Sequence, residues 1–361
     1  MKITSYRLVL SALLISLVTL MQGCATHHSV AYVANADSRD ISVLKLDRDK
    51  GTVQVVQTLD VGGTVMPMAL SPDKRMLYAA LRSEPYSVAT FAIESTGNLK
   101  RVGTAPLPDS MANIVTDRTG RWLFAASYGG NKVSVSPIGA DGIAGAAIAV
   151  LPTGKNAHAA IIDAANKNLF VTNLGSDQVL QYSFDAASGK LTPNNPPALG
   201  TRPGAGPRHM VLHPNGRHAY LLHELDATVD LLAYDAQHGT LGVVKTWSTL
   251  PAGFSGKPWA ADLHLTPDGR YLYTSERNSN TLAMWSVDAA SGELKLIGHQ
   301  PTEKQPRGFQ IDPSGAWLLA VGQTSHAMTA YRIDPATGRL TQQASLPMGK
   351  NPNWVEIVNL P

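Results

Sequence analysis

Seven short segments spread along the chain are versions of one another, and that repeat restricts the fold more than any other feature. They read PMALSPDK (67–74), NIVTDRTG (113–120), HAAIIDAAN (158–166), RHMVLHPNG (208–216), ADLHLTPDG (261–269), GFQIDPSG (308–315) and NWVEIVN (353–359). After each of the first six comes a turn rich in Asp, Pro, Asn and Gly, then a strand, a polar loop and a further alternating strand, as in RYLYTSERNSNTLAMWSVD (270–288). Measured between the turn positions Lys74, Gly120, Asn166, Gly216, Gly269 and Gly315, the intervals are 46, 46, 50, 53 and 46 residues. Units of that length with about four strands each are propeller blades.

The two ends of the chain supply the seventh blade. AYVANADSRDISVLKLDRDKGTVQVVQ (31–57) opens without an inner strand, and NWVEIVN is followed only by Leu360 and Pro361. Pairing them closes the ring without a covalent link and leaves no open sheet edge. The expectation is therefore an all-β chain: one seven-bladed β-propeller domain over residues 25–361, closed by pairing the N-terminal strands with the C-terminal inner strand. The 31 Gly and 23 Pro that punctuate short strands agree with it. No long apolar stripe of helical period appears beyond the first 25 residues.

Residues 1–24 read as an export signal, because Lys2 and Arg7 precede an apolar run from Leu8 to Met21 too short for an ordinary membrane span. Cys24 is the only cysteine, and Leu20-Met21-Gln22-Gly23 before it is similar to a bacterial lipobox, in which the thiol is lipidated after cleavage. Ala25, which is not Asp, points to the outer membrane by lipoprotein sorting rules. The expected location is the periplasm, with any membrane contact made through a lipid anchor on Cys24. The alternatives are ordinary signal-peptidase cleavage, or a stray cysteine in the apolar segment. A mature chain starting at Cys24 would have no disulfide and would rely on packing. Removal of Lys2 and Arg7 takes the formal charge from +3 to +1, which offers nothing to nucleic acid or to an acidic membrane surface.

Propeller function resides where the inner strands converge on the central channel. Seven and eight residues before each turn position stand Met66/Pro67, Ala112/Asn113, His158/Ala159, Arg208/His209, Ala261/Asp262, Arg307/Gly308 and, by extension, Pro352/Asn353. Seven and eight residues after it stand Leu81/Arg82, Ser127/Tyr128, Asn173/Leu174, His223/Glu224, Glu276/Arg277 and Gly322/Gln323. Arginines, imidazoles and carboxylates thus collect in two concentric rings at one end. Such rings suit an anionic or carbonyl-bearing polar ligand. The competing reading is that these groups satisfy one another between blades.

The stretches GAGPRHMVLHPN (204–215), HELDATVD (223–230), WAADLHLTPDGRYLY (259–273), PTEKQPRGFQID (301–312), GQTSH (322–326) and SPDKRMLY (71–78) resemble the seven-bladed propeller lactonase family. That family contains bacterial 6-phosphogluconolactonase and fungal carboxymuconate cyclase, and the resemblance spans about residues 29–358. It implies a catalytic histidine, two arginines and a glutamate, which fall on His158 in NAHAA, Arg208 in GPRHM, Arg277 in SERNSN and Glu224 in HELDATVD. It also implies a small-molecule sugar lactone as substrate and no cofactor.

Opening a lactone needs water activated by a base and positive charge beside the carbonyl oxygen. Glu224 or His158 is the expected base, the other protonating the leaving ring oxygen, with Arg208 and Arg277 binding the oxyanion and the product carboxylate. His209, Asp262, Arg307, Gln323, Asn113 and Tyr128 are expected to contact or orient the sugar. With an export signal, glucono-1,5-lactone is the expected substrate and 6-phosphogluconolactone the alternative; a non-catalytic binding propeller is the reading from another class. No G-x-S-x-G elbow, H-E-x-x-H or cysteine pair is present. A calcium site would have to come from Asn113, Asp262, Asn173 and Glu224, against the repulsion of neighbouring arginines, so no metal is expected. His27, His28, His218, His238 and His299 are expected to be solvated on the tail or on turns.

Overall fold

The computed structural model describes residues 28–359. The leader and Cys24 lie outside the described residues. Seven four-stranded antiparallel sheets stand around a central channel. Blades 1 to 7 are numbered by their inner strands: Val65–Leu70, Asn113–Thr116, Ala157–Ile162, Pro207–Leu212, Ala260–Leu265, Pro306–Ile311 and Pro352–Asn359. In blade 7 the C-terminal strand Pro352–Asn359 pairs antiparallel with His28–Asn35, with Val30 opposite Val358 and Tyr32 opposite Glu356. Neighbouring inner strands touch all the way round, Pro352–Asn359 lying against Val65–Leu70.

The turn after each inner strand explains the repeat. Lys74, Gly120, Asn166, Gly216, Gly269 and Gly315 all have φ between 58° and 74°. A residue without Cβ, or one tolerant of the left-handed region, is favoured there, so Gly takes four of six places. The side chain that opens the turn locks it. Asp117 Oδ1 accepts the Arg121 and Trp122 N–H groups at 2.8 and 2.9 Å, and Asp312 Oδ1 accepts those of Ala316 and Trp317, both at 2.9 Å.

Apolar burial lies between blades rather than on the channel axis. One cluster joins Tyr32, Ile41 and Val43 of blade 7 to Met68, Leu77 and Phe91 of blade 1; another joins Trp317, Leu319 and Met328 of blade 6 to Leu44 and Val355 of blade 7. Each fully buried large side chain contributes about 1.5–3 kcal/mol, so these seams hold the ring and leave the inner strands free to carry polar groups. Tyrosine hydroxyls latch the rim: Tyr78 donates to Gly142 O at 2.8 Å, Tyr220 to Gly292 O at 2.7 Å and Tyr273 to Gly338 O at 2.8 Å.

Candidate active site

Six of the seven inner strands begin with a break in register against their second strand: between Val65 and Met68, Ala157 and Ala159, Pro207 and His209, Ala260 and Leu263, Pro306 and Gly308, and Pro352 and Trp354. Residues in the breaks are Met66, Pro67, His158, Arg208, Ala261, Asp262, Arg307 and Asn353. A bulge sets two residues opposite one and re-aims a side chain. Here it brings these groups to one mouth of the channel.

The centre of that mouth is Glu224, on the turn after the second strand of blade 4. Arg208 Nε donates to Glu224 Oε2 at 2.7 Å, and Arg277 Nη2 lies 2.9 Å from the same oxygen. Trp259 Nε1 donates to Oε1 at 3.3 Å, and the Trp259 ring carries the Arg277 guanidinium 3.8 Å from its centroid. Arg208 and Arg277 are 1% and 2% exposed, so neither can swing away without leaving a charge buried. Arg208 also donates to Ala261 O, and Arg277 to Trp259 O at 3.1 Å and Ala260 O at 3.0 Å. Burial would raise the Glu224 carboxyl, but Arg208 and Arg277 hold it below the usual range. Burial and the neighbouring Arg208 push Arg277 down to about 9, so it stays charged at neutral pH.

Beside this group stands a column of imidazoles. The His158 and His209 rings are 5.0 Å apart edge to face, and Tyr128 meets His158 at 6.0 Å. His209 Nδ1 is 2.7 Å from Asp262 Oδ1, whose other oxygen is 3.3 Å from His264 Nε2. Burial and Arg208 drive His209 down to about 4, so it is neutral at pH 7. With a carboxylate at Nδ1, that nitrogen carries the proton and Nε2 accepts from Arg208 Nη1 at 3.2 Å. His158 is driven well below an ordinary imidazole by burial and then by Arg208 and His209. Its Nδ1 is enclosed with no hydrogen-bond partner.

The residues expected at the site divide accordingly. His158, Arg208, Glu224 and Arg277 come together, with His209 and Asp262 behind them. Tyr128 stands at the lip, exposed, in the electrostatic reach of Glu224 and both arginines. Arg307 is at the same mouth, where its Nη2 is 3.5 Å from Met66 Sδ. Asn113 lines the channel, but its Oδ1 accepts the Ala160 N–H at 3.0 Å and so ties blade 2 to blade 3. Gln323 donates its Nε2 to Asn351 Oδ1 at 2.7 Å, bridging blades 6 and 7. Glu276 and His223, neighbours of the two key residues, serve the scaffold. Glu276 accepts the N–H groups of Trp259 and Ser279, and His223 pairs with Asp230 at 2.8 Å.

Three expectations about histidines are corrected. His28 is half-buried at the start of its strand with an enclosed Nδ1, His218 is half-buried in a strand where Asn215 Nδ2 meets its Nδ1 at 3.1 Å, and His299 contacts Thr249 O at 3.0 Å. Each lies in a strand, where pairing to a neighbour removes it from full solvation. His238 is exposed on a turn, and His27 lies outside the described residues.

Trp259, Arg82 and Trp354 were not singled out by sequence. Trp259 precedes the first-ring pair by two positions in the WAADL stretch. Arg82 stands in the second ring beside Leu81. Trp354 meets His209 at 5.9 Å. Beneath His209 and Asp262 the channel continues as a cavity of about 340 Å³ to Lys74, Asp117 and Arg118 at the opposite end. Among the described residues no group of three or more His, Cys, Asp or Glu side chains is placed to hold a metal ion. Asn173, named for such a site, donates its Nδ2 to Val171 O at 2.8 Å.

The chain as a whole has counterparts among known proteins. A family model described as a lactonase, 7-bladed beta-propeller, matches residues 21–357. The 6-phosphogluconolactonase of Serratia proteamaculans is 44% identical over 329 residues, which cover 91% of this chain and 98% of that protein. The protein of the same name from Yersinia pestis is 44% identical over 326 residues, covering 90% and 97%. Among solved structures, the periplasmic gluconolactonase of Pseudomonas aeruginosa superposes with a TM-score of 0.84 at 27% identity, over 92% of this chain and all of that one. With its ring of seven blades, the chain belongs to the seven-bladed β-propeller lactonase family and is a lactone-hydrolysing carboxylic ester hydrolase.

Proposed function

We propose that the chain hydrolyses an aldono-1,5-lactone, with glucono-1,5-lactone as the substrate skeleton, in the periplasm as a lipoprotein anchored to the outer membrane through Cys24. The observation that carries the reaction is the convergence of Arg208 and Arg277 on one carboxylate beside an imidazole whose Nδ1 has no hydrogen-bond partner. The leader sequence supports the location, as does the likeness to a periplasmic gluconolactonase. The alternative substrate, 6-phosphogluconolactone, has the support of the names of the more similar relatives.

In this reading the lactone carbonyl sits against the guanidinium groups, which hold the oxyanion as water adds to the carbonyl carbon. His158 is the base. It is neutral at pH 7, whereas Glu224 has its Oε2 engaged by both arginines. Glu224 stays ionised at neutral pH and therefore cannot donate a proton; it positions Arg208 and Arg277. The water proton passes to His158, the bond from the carbonyl carbon to the ring oxygen breaks, and the imidazolium returns its proton to that oxygen. A depressed pKa suits this last step, since the imidazolium is then a stronger acid. The carboxylic acid so formed gives its remaining proton to solvent, and the product carboxylate is left against the arginines.

The test is proton release from glucono-1,5-lactone above the spontaneous rate, using protein that lacks residues 1–24, with and without chelator. Acceleration that survives chelator and disappears in His158→Ala supports the reading. Acceleration unchanged in both His158→Ala and Glu224→Ala sinks it. For the location, a Cys24→Ser chain that still partitions with outer membranes and still carries labelled palmitate would remove the anchor.

A further inference from the structure

The channel mouth holds four arginines, and their charges are not evenly compensated. Arg208 and Arg277 share Glu224, and Glu276 acts on Arg277 from behind. Arg82 and Arg307 have no such partner. Arg82 Nη1 lies 2.8 Å from Met66 Sδ and Arg307 Nη2 3.5 Å from the same sulfur. The remaining hydrogen bond of the Arg82 side chain goes from Nε to Ser110 Oγ at 2.8 Å. Among the described residues no carboxylate is within ion-pair distance of either guanidinium.

A thioether is a weak acceptor, and each guanidinium carries five donors. Two cations that converge on one sulfur at a channel mouth therefore lack both counter-charge and acceptors, which is an unfavourable arrangement in the absence of an anion. Glu224 reaches Arg307 electrostatically, yet it is already held by two other arginines. Both side chains are partly accessible, so an anion arriving from the mouth can meet them. The missing charge is two units, and the donors form two planar forks, a match to a tetrahedral dianion rather than to a single carboxylate.

We propose that Arg82, Arg307 and Met66 form a subsite for a phosphate-type dianion, separate from the Glu224-centred site. Two sources share that chemistry: a phosphate ester at the end of the lactone remote from its carbonyl, or free inorganic phosphate bound beside an uncharged lactone. The first source rests on the lactonase reading above; the second does not.

The decisive measurement is calorimetric titration of the full channel-bearing protein with inorganic phosphate, for wild type, Arg82→Met and Arg307→Met, with circular dichroism to confirm folding. The expected result is saturable binding that weakens about 10- to 100-fold in each variant, the size of a lost charge-assisted pair. Arg82→Lys, which keeps the charge, is expected to recover part of the loss and serves if a Met variant does not fold. Wild type that fails to bind phosphate, or variants that bind it equally well, overturn the subsite.

Kinetics then separate the sources. If the dianion belongs to the substrate, phosphate competes with glucono-1,5-lactone 6-phosphate, and the ratio of kcat/KM for phosphorylated over plain lactone falls 10- to 100-fold in Arg82→Met. If the ion binds free, phosphate alters plain lactone hydrolysis in wild type and not in Arg82→Met. Should neither lactone be turned over, the lactonase reading fails, while the titration still decides the subsite.

Discussion

Two pairs of arginines stand at the same mouth of one channel and live under different electrostatic terms. Arg208 and Arg277 are almost fully buried and bound to Glu224 and to backbone carbonyls of blade 5. Arg82 and Arg307 are partly accessible and meet on a thioether. The first pair is preorganised: its geometry is complete before any ligand arrives, which is what oxyanion stabilisation requires. The second pair is unfinished, and that makes it a receptor rather than a scaffold. The same residue type thus does different work according to whether the protein supplies its counter-ion.

The largest expected effect comes from making the first pair resemble the second. Glu224→Gln removes the shared carboxylate and leaves two buried guanidinium groups uncompensated, a loss of about 3–5 kcal/mol in stability. Urea unfolding measures it, and lactone hydrolysis should fall in the same variant because Arg208 and Arg277 lose their common anchor. If stability barely moves, the two pairs do not differ in the way described. His158→Ala separates charge from proton transfer. It leaves all four arginines in place and is expected to lower kcat by about 10²–10⁴-fold with the circular dichroism spectrum unchanged. For the same reason, loss of activity on acidification should begin below pH 6.5, since burial, Arg208 and His209 keep His158 neutral to lower pH than a free imidazole.

Much of this mouth was legible from spacing alone. The turn positions require a left-handed backbone, which fixed the repeat, and counting back from them reached His158, Arg208, Asp262 and Arg307 because the register breaks of those four blades fall at the same offset. What the count could not convey is which polar groups satisfy one another across a seam. Gln323 and Asn113 occupy the right offset and yet bond to Asn351 and to the backbone of Ala160. Trp259 has no place in the count, yet its ring carries Arg277 and its Nε1 donates to Glu224. His28, His218 and His299 looked like loop residues because strand ends are poorly marked by pattern.

A third test concerns the field that the arginines impose on the channel below them. His209 is pushed from an ordinary imidazole value to about 4. Between pH 6.5 and 4 the unfolded chain takes up a proton there and the folded chain does not, so acidification removes about 3 kcal/mol of stability. Glu356, lower in the channel and raised to about 7 by burial, acts in the opposite sense. Between pH 7 and 4.5 the folded chain holds that proton while the unfolded chain has lost it, so acidification adds a comparable amount. In wild type the two slopes oppose each other. His158, driven down by the same burial and the same arginine, adds to the slope of His209. Between pH 6.5 and 4.5 the urea midpoint should therefore fall more steeply in Glu356→Gln than in wild type and less steeply in His209→Gln; the same slope in both variants contradicts the assignment.

The smallest effect is the most telling for the comparison. Arg82→Met deletes a charge whose contacts are one thioether and one serine hydroxyl, so no carboxylate is stranded by its loss. The expected change in unfolding free energy is below about 1 kcal/mol, the size of a single neutral hydrogen bond, and its sign favours the variant if relief of repulsion with Arg307 outweighs the bond to Ser110. The contrast is sharpest in added phosphate. Wild type should gain thermal stability as phosphate is raised, since a ligand bound to the folded state alone stabilises it by mass action, and Arg82→Met should not. If instead Arg82→Met destabilises the ring as severely as Glu224→Gln does, then Arg82 is part of the framework, and the two arginine pairs are alike after all.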